Sequence, residues 1–319
     1  MQVIIVLWSP MTTVEQMTPN AAVVTEGSDK KRAIRPSPGR ETAFGCARDF
    51  MDNRFVYSVV SPRARGLSVG VNMNPDMLCN YDCLYCEVDR TIAPRESKLN
   101  VDVMAAELQK TLSFVGQGRL HERPWYQTLP GELLQLRHVA LSGDGEPTLC
   151  PNFSEAVQAV VHVRALGGFP FFKIVLITNA TGLDLPQVQE GLKHLIKSDE
   201  IWVKLDSGTQ NYLNKVARPR GINLEKVLSN ILLTARQRPV VVQSLFPAIN
   251  GEEPQFDEIE AYAHRLKELK DAGAQISLVQ IYSATRPMFH ADCGHLPLKT
   301  LSHIAQAVRQ VAGLKAEVF

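Results

Sequence analysis

Five times after residue 100, a stretch patterned for a helix is followed by a short run of apolar, β-branched residues. The helical stretches fall at 101–114, 153–166, 186–197, 224–237 and 256–272, with apolar residues recurring at helical spacing. The runs at 137–141, 173–178, 200–205, 240–245 and 275–282 read as buried strands. A strand over 65–73 precedes the series, a sixth helix over 297–311 closes it, and a short segment at 315–319 ends the chain. Such alternation implies parallel strands joined by right-handed crossovers. The expected fold is therefore α/β, a partial (β/α)6 barrel with its chemistry at the C-terminal ends of the strands.

The chain has 319 residues, 45% of them hydrophobic, enough for one large core. Residues 1–43 hold Thr, Pro, Ser, Gly and the basic stretch Lys30-Lys31-Arg32 without sustained periodicity, and are expected to form a disordered tail ahead of a core domain over 44–319. Lys and Arg number 34 against 33 Asp and Glu, a net charge of +1, so the strongly basic surface of a dedicated nucleic-acid binder is absent. The longest apolar run near the start, residues 3–8, is far short of the roughly 20 residues of a membrane helix, and no basic residue precedes it as a secretory signal requires. No membrane association and a cytoplasmic location are expected. Six cysteines are too few for a disulfide scaffold, and three of them fall within eight positions. That clustering points to metal.

The spacing Cys79-x3-Cys83-x2-Cys86 supplies three thiolates from one loop, one fewer than a closed four-cysteine site needs. A cubane held by three thiolates leaves one iron open to chelate a substrate or cofactor. On spacing alone, a zinc knuckle or a ferredoxin-type site completed by Cys46, Cys150 or Cys293 stays an alternative.

The stretch from Cys79 to Cys86, with Tyr85 directly before the third cysteine, resembles the signature of the radical S-adenosylmethionine (SAM) superfamily. The flanking 70–75 segment and Ser142 to Leu149 are most similar to the branch that contains the wybutosine-synthesis tRNA enzymes. The resemblance implies a [4Fe–4S] cluster on the three cysteines and SAM on the open iron, cleaved reductively to a 5'-deoxyadenosyl radical that takes hydrogen from a substrate. It also implies an electron donor such as flavodoxin or ferredoxin, and tRNA as a candidate substrate. Tyr85 would lie against the adenine. Gly143, Asp144, Gly145 and Glu146 match the loop that takes the methionine amino group, with Asp144 standing where a second glycine is usual. Asn179 matches a Thr-Asn turn that contacts SAM or substrate hydroxyls.

The period of two places Trp202, Lys204 and Asp206 on one face of their strand, and a barrel interior has use for such polar groups. Lys204 and Asp206 are assigned to SAM or substrate contacts, Lys204 among the catalytic group with the cysteines; a structural ion pair is the alternative. Gln243 and Ser244, and Gln280 with Tyr282, are candidates for ribose and adenine. Arg218, Arg220 and Arg286 lie beyond strand ends, where guanidinium can grip carboxylate or phosphate. Two motifs mislead. The 66–70 segment fits a nucleophile elbow but opens a strand, and His121-Glu122 lacks the second histidine of a zinc protease.

Three readings share these features: a radical SAM enzyme acting on a tRNA nucleoside, a glycyl-radical activase or modifier of peptides or small molecules with the same core, and a non-SAM iron–sulfur electron-transfer protein. The last requires a fourth ligand and a closed cluster.

Overall fold

The computed structural model describes residues 48–285 and 292–319; the 1–43 tail, Cys46 and Arg286 lie outside them. A hairpin comes first, β1 (Val56–Ser61) pairing antiparallel with β2 (Gly66–Asn72). Alternation follows through α1 (Val101–Gly116), β3 (Leu136–Ser142), α2 (Phe153–Leu166), β4 (Lys173–Thr178), α3 (Pro186–Leu192) and β5 (Glu200–Lys204). Two helices, α4 (Gln210–Val216) and α5 (Leu224–Gln237), lead to β6 (Val240–Leu245). The two-residue strand β7 (Ala248–Ile249), α6 (Phe256–Asp271), β8 (Ile276–Tyr282), β9 (Cys293–Gly294), α7 (Leu298–Ala307) and β10 (Ala316–Val318) complete the series.

The main sheet runs in the order β1-β2-β3-β4-β5-β6-β8-β10, parallel at every pair after the first, while β7 and β9 pair apart from it. Strands β2 to β6 and β8 are the six expected strands of the partial barrel. Two strands extend it: β1 as an antiparallel edge and β10 as a seventh parallel strand. Three of the helices, α1, α4 and α5, start at a side-chain cap. Asn100 takes the Val103 amide at 3.1 Å, Asn223 the Lys226 amide at 2.9 Å and Thr209 the Tyr212 amide at 3.1 Å. The third helix stops at Leu192, short of the expected 197. Beyond it Lys193, His194 and Leu195 make three-residue turns, and the Asp199 carboxylate takes the Ile196 amide at 2.9 Å.

Each strand divides its side chains by the pleat. Val69, Val71, Val139, Leu141, Ile174, Ile201, Val242 and Ile281 face outward into one core with the helices, all fully buried. Each such residue contributes on the order of 2 kcal/mol on burial. The inward set is different in kind. Val175, Trp202 and Val241 make a separate small cluster with Ile177 and Leu278. The His138 ring meets Trp202 edge-on at 5.3 Å, the indole donates to Glu200 at 2.7 Å, and Lys173 pairs with Glu200.

The free edges β1 and β10 share no hydrogen-bond ladder. The turn of the β1–β2 hairpin nevertheless reaches the last strands: Arg65 pairs with Glu317 at 2.7 Å, and the Arg63 guanidinium lies 4.1 Å over the Tyr282 ring.

Candidate active site

The three cysteines lie in the long connection between β2 and α1, above the C-terminal end of the sheet. This loop is braced by the segment that follows α4. Tyr81 bridges to Pro219, the Leu84 amide donates to the Val216 carbonyl at 2.8 Å, and Arg220 N donates to the Asn80 carbonyl at 2.9 Å. Arg218 donates to the Asp82 carbonyl at 2.6 Å and pairs with its carboxylate at 3.2 Å. Its guanidinium is therefore committed to holding the cysteine loop. The Cys86 amide closes a turn on the Cys83 carbonyl at 3.0 Å. Burial pushes the Cys79 thiol up to about 11 and raises Cys83 further still.

Opposite the cysteines runs the turn from Gly143 to Glu146, after β3. Gly145 packs so closely that a Cβ on it would sit 2.0 Å from the Leu78 carbonyl oxygen and 2.7 Å from Asn74 Cβ. The Glu146 amide donates to the same carbonyl at 3.0 Å, so the two loops are tied one residue before Cys79. Gly143 adopts φ +151, where a Cβ would strike Asn72 Oδ1 at 2.2 Å.

Both carboxylates of this turn already have protein partners. Asp144 pairs with Arg48 at 2.8 Å and accepts from Asn72 Nδ2 at 2.6 Å. Glu146, 3% exposed, accepts from Thr148 N at 3.0 Å, Thr148 Oγ1 at 2.7 Å, Asn179 N at 2.7 Å and the Thr178 hydroxyl. It thus ties the turn to the end of β4. What the turn leaves toward the cysteines is backbone.

A residue without any sequence signal joins the two loops. Arg90 donates from Nη1 to Cys86 Sγ at 3.1 Å and from Nη2 to the Asp144 carbonyl at 3.0 Å. Although burial alone would pull this guanidinium down, the neighbouring Cys86 sulfur raises it.

The expected polar residues of β5, β6 and β8 do meet. Lys204 pairs with Asp206 at 3.2 Å and donates to the Tyr282 hydroxyl at 3.0 Å; the Tyr85 hydroxyl donates to Asp206. Burial pulls the Lys204 ammonium down, but Asp206 and Tyr282 more than restore it, so it stays charged. Burial and Asp206 raise the Tyr85 phenol and keep it protonated. Gln243 donates to Gln280 at 2.9 Å. Ser244 differs from the expectation, since the pleat turns it away from Gln243, and its hydroxyl bonds the Leu205 carbonyl at 2.7 Å and Tyr262. Asn179 donates to Asn80 of the cysteine loop at 2.9 Å and accepts from Thr181.

Residues 74 to 266 match the family model of the radical SAM superfamily. The chain belongs to the radical SAM superfamily. Its cofactors are accordingly a [4Fe–4S] cluster and SAM. Among curated relatives, a UPF0026 protein of Helicobacter pylori is 26% identical over 232 residues, covering 70% of this chain and 66% of that protein. The tRNA 4-demethylwyosine synthase of Saccharomyces cerevisiae is 26% identical over 157 residues, 47% of this chain and 17% of that one. Across the UPF0026 relatives the match spans between 48% and 66% of their length. A radical SAM methyltransferase from Sphaerobacter thermophilus shares the fold at a TM-score of 0.57 and 16% identity, over 83% of this chain and 68% of that one. Among the described residues no helix is long and apolar enough to cross a membrane.

The residues present suit these radical SAM cofactors. Among the described residues no three acidic, His or Cys side chains are placed to hold a single ion, and Cys79, Cys83 and Cys86 of one loop would each offer a thiolate to a cluster. Buried thiols with raised pKa ionise when iron binds them. The Gly145 cradle admits no side chain, and beside it Asn74 Oδ1 is buried without a partner. Cys150 packs in the main core, and Cys293 in an apolar cluster with Leu84, Leu245 and Ala284.

Proposed function

We propose that Cys79, Cys83 and Cys86 each ligate one iron of the cluster, and that the Gly143 to Glu146 turn receives the methionine end of SAM at the fourth. Support comes from one observation above all: three thiols and a glycine-tight turn are tied at Leu78 and joined again by Arg90. When bound, cluster and SAM supply one-electron cleavage of the sulfonium, the source of the hydrogen-abstracting 5'-deoxyadenosyl radical.

The chain's own residues position and shield. Gly143 and Gly145 present backbone to the ammonium, while Arg90 holds the Asp144 carbonyl and Arg48 and Asn72 hold the Asp144 side chain aside. Glu146 and Asn179 fix the turn to β4 and to the cysteine loop. Lys204, Asp206 and Tyr282 form one network under Tyr85, which closes water off from the cluster side; Gln243 and Gln280 offer amide groups to the adenosyl moiety. Arg90 holds positive charge at the Cys86 sulfur, which favours the reduced, more negative cluster. Arg90→Met is therefore expected to lower the cluster's reduction potential, by about 59 mV for a tenfold change in a one-electron equilibrium. Redox titration followed by EPR reads this directly.

The function itself is tested on anaerobically reconstituted protein with about four irons per chain. SAM should perturb the EPR spectrum of the reduced cluster, and dithionite with SAM should yield 5'-deoxyadenosine. An unperturbed spectrum would instead favour a closed electron-transfer cluster. The substrate proposal is a tRNA nucleoside, on the likeness to the yeast synthase. Bulk tRNA should then accelerate 5'-deoxyadenosine formation, and no acceleration would turn the reading toward a peptide, glycyl-radical or small-molecule target.

A further inference from the structure

On the inward face of the strands Lys173 pairs with Glu200, and Lys204 with Asp206. Arg63, from the β1–β2 turn, differs from these. Among the described residues it has neither a hydrogen bond nor an ion pair, and its guanidinium lies 4.1 Å over the Tyr282 ring. On the same ring, 5.3 Å from its centre, stands the Lys204 ammonium. Among the described residues this guanidinium is thus a cation without a carboxylate partner, placed on an aromatic face that leads through Lys204 to Tyr85 and the cysteine loop.

A second group on the inward face of the strands also lacks a partner. His138, 2% exposed, has a buried Nδ1 with no hydrogen bond. Burial first, then Lys173 and Arg63, push its pKa down to about 3, so the imidazole is neutral and able to donate from Nδ1 in one tautomer. A polar atom so deeply buried without a partner carries a desolvation cost that a ligand would remove.

We propose that Arg63 anchors an anionic oxygen group of the substrate, a carboxylate or a phosphate, against Tyr282 inside the barrel. The proposal rests on the radical SAM reading of this chamber and adds the chemical class of what enters it. A guanidinium offers a planar fork that meets such a group with two parallel hydrogen bonds, and stacking on Tyr282 fixes the fork's plane. Two cations flanking one ring repel a cationic substrate group from the same position.

The test uses cluster-loaded, SAM-saturated protein, so that the open iron is taken, at low ionic strength to limit screening. Inorganic phosphate and malonate are titrated separately by calorimetry; the tighter of the two assigns the group as phosphate or carboxylate. At least one should bind at a single site, and Arg63→Gln should weaken it about tenfold or more. Arg65→Gln, a neighbouring change at an exposed residue, should leave that affinity as it was. Iron content and SAM affinity of Arg63→Gln should match the unaltered protein. The proposal is overturned if neither anion binds, or if Arg63→Gln binds the tighter one as well as the unaltered chain does. Should SAM fail to bind the unaltered protein, the cofactor reading fails separately, and the same titrations without SAM still decide the anion site.

Discussion

Replacing Cys83 with alanine is expected to leave the fold standing, to strip the protein of its full iron complement and to drop 5'-deoxyadenosine formation to background. The fold survives because only a sulfur atom is lost from a loop held elsewhere by Leu84, Arg218 and Arg220. The cluster does not survive, because three thiolates are already the minimum for a site-differentiated cubane. Iron analysis and product chromatography read the two losses, and circular dichroism the retained helices. Full turnover in this variant would remove Cys83 from the ligand set.

Gly145→Ala should have the next largest effect. The new methyl would stand 2.0 Å from the Leu78 carbonyl oxygen, a backbone atom that cannot swing aside. The two loops must separate, and the Glu146 to Leu78 hydrogen bond goes with them. Overpacking of this kind costs about 1–3 kcal/mol in stability. SAM affinity should fall roughly a hundredfold, equivalent to about 3 kcal/mol. Equilibrium dialysis against labelled SAM measures it. Gly131→Ala serves as the comparison, since a Cβ there meets nothing within 4 Å; equal SAM binding by the two variants would remove the turn from the cofactor site.

Much of this was legible in the order of residues, because both the periodicities and the cysteine spacing are local signals. The helices Phe153–Leu166 and Leu224–Gln237 and the strands Lys173–Thr178 and Val240–Leu245 lie where the apolar pattern puts them. Contacts between distant segments were not legible. Arg48 reaches Asp144 across 96 positions, and Arg90 reaches it across 54, from stretches with no period to betray them. Strand β1 escaped for another reason. All six of its residues are buried, so it lacks the alternation that marks an edge strand, although the four residues between it and β2 are a fair hairpin loop. Asp144 stood out as a departure from the family's glycine, but only the fold shows that Arg48 and Asn72 absorb its charge.

The hairpin's reach to the last strand has a mechanical meaning. Six ladders of parallel hydrogen bonds set the curvature of one side of the wall, whereas the other side is a seam spanned by arginine side chains. An ion pair whose Arg65 side is 72% exposed contributes at most about 1 kcal/mol and weakens as salt rises. The barrel thus has a stiff spine and a compliant lip. Raised salt therefore loosens the lip first and leaves the hydrogen-bonded spine, with the strands that lead to the cysteine loop, as it was.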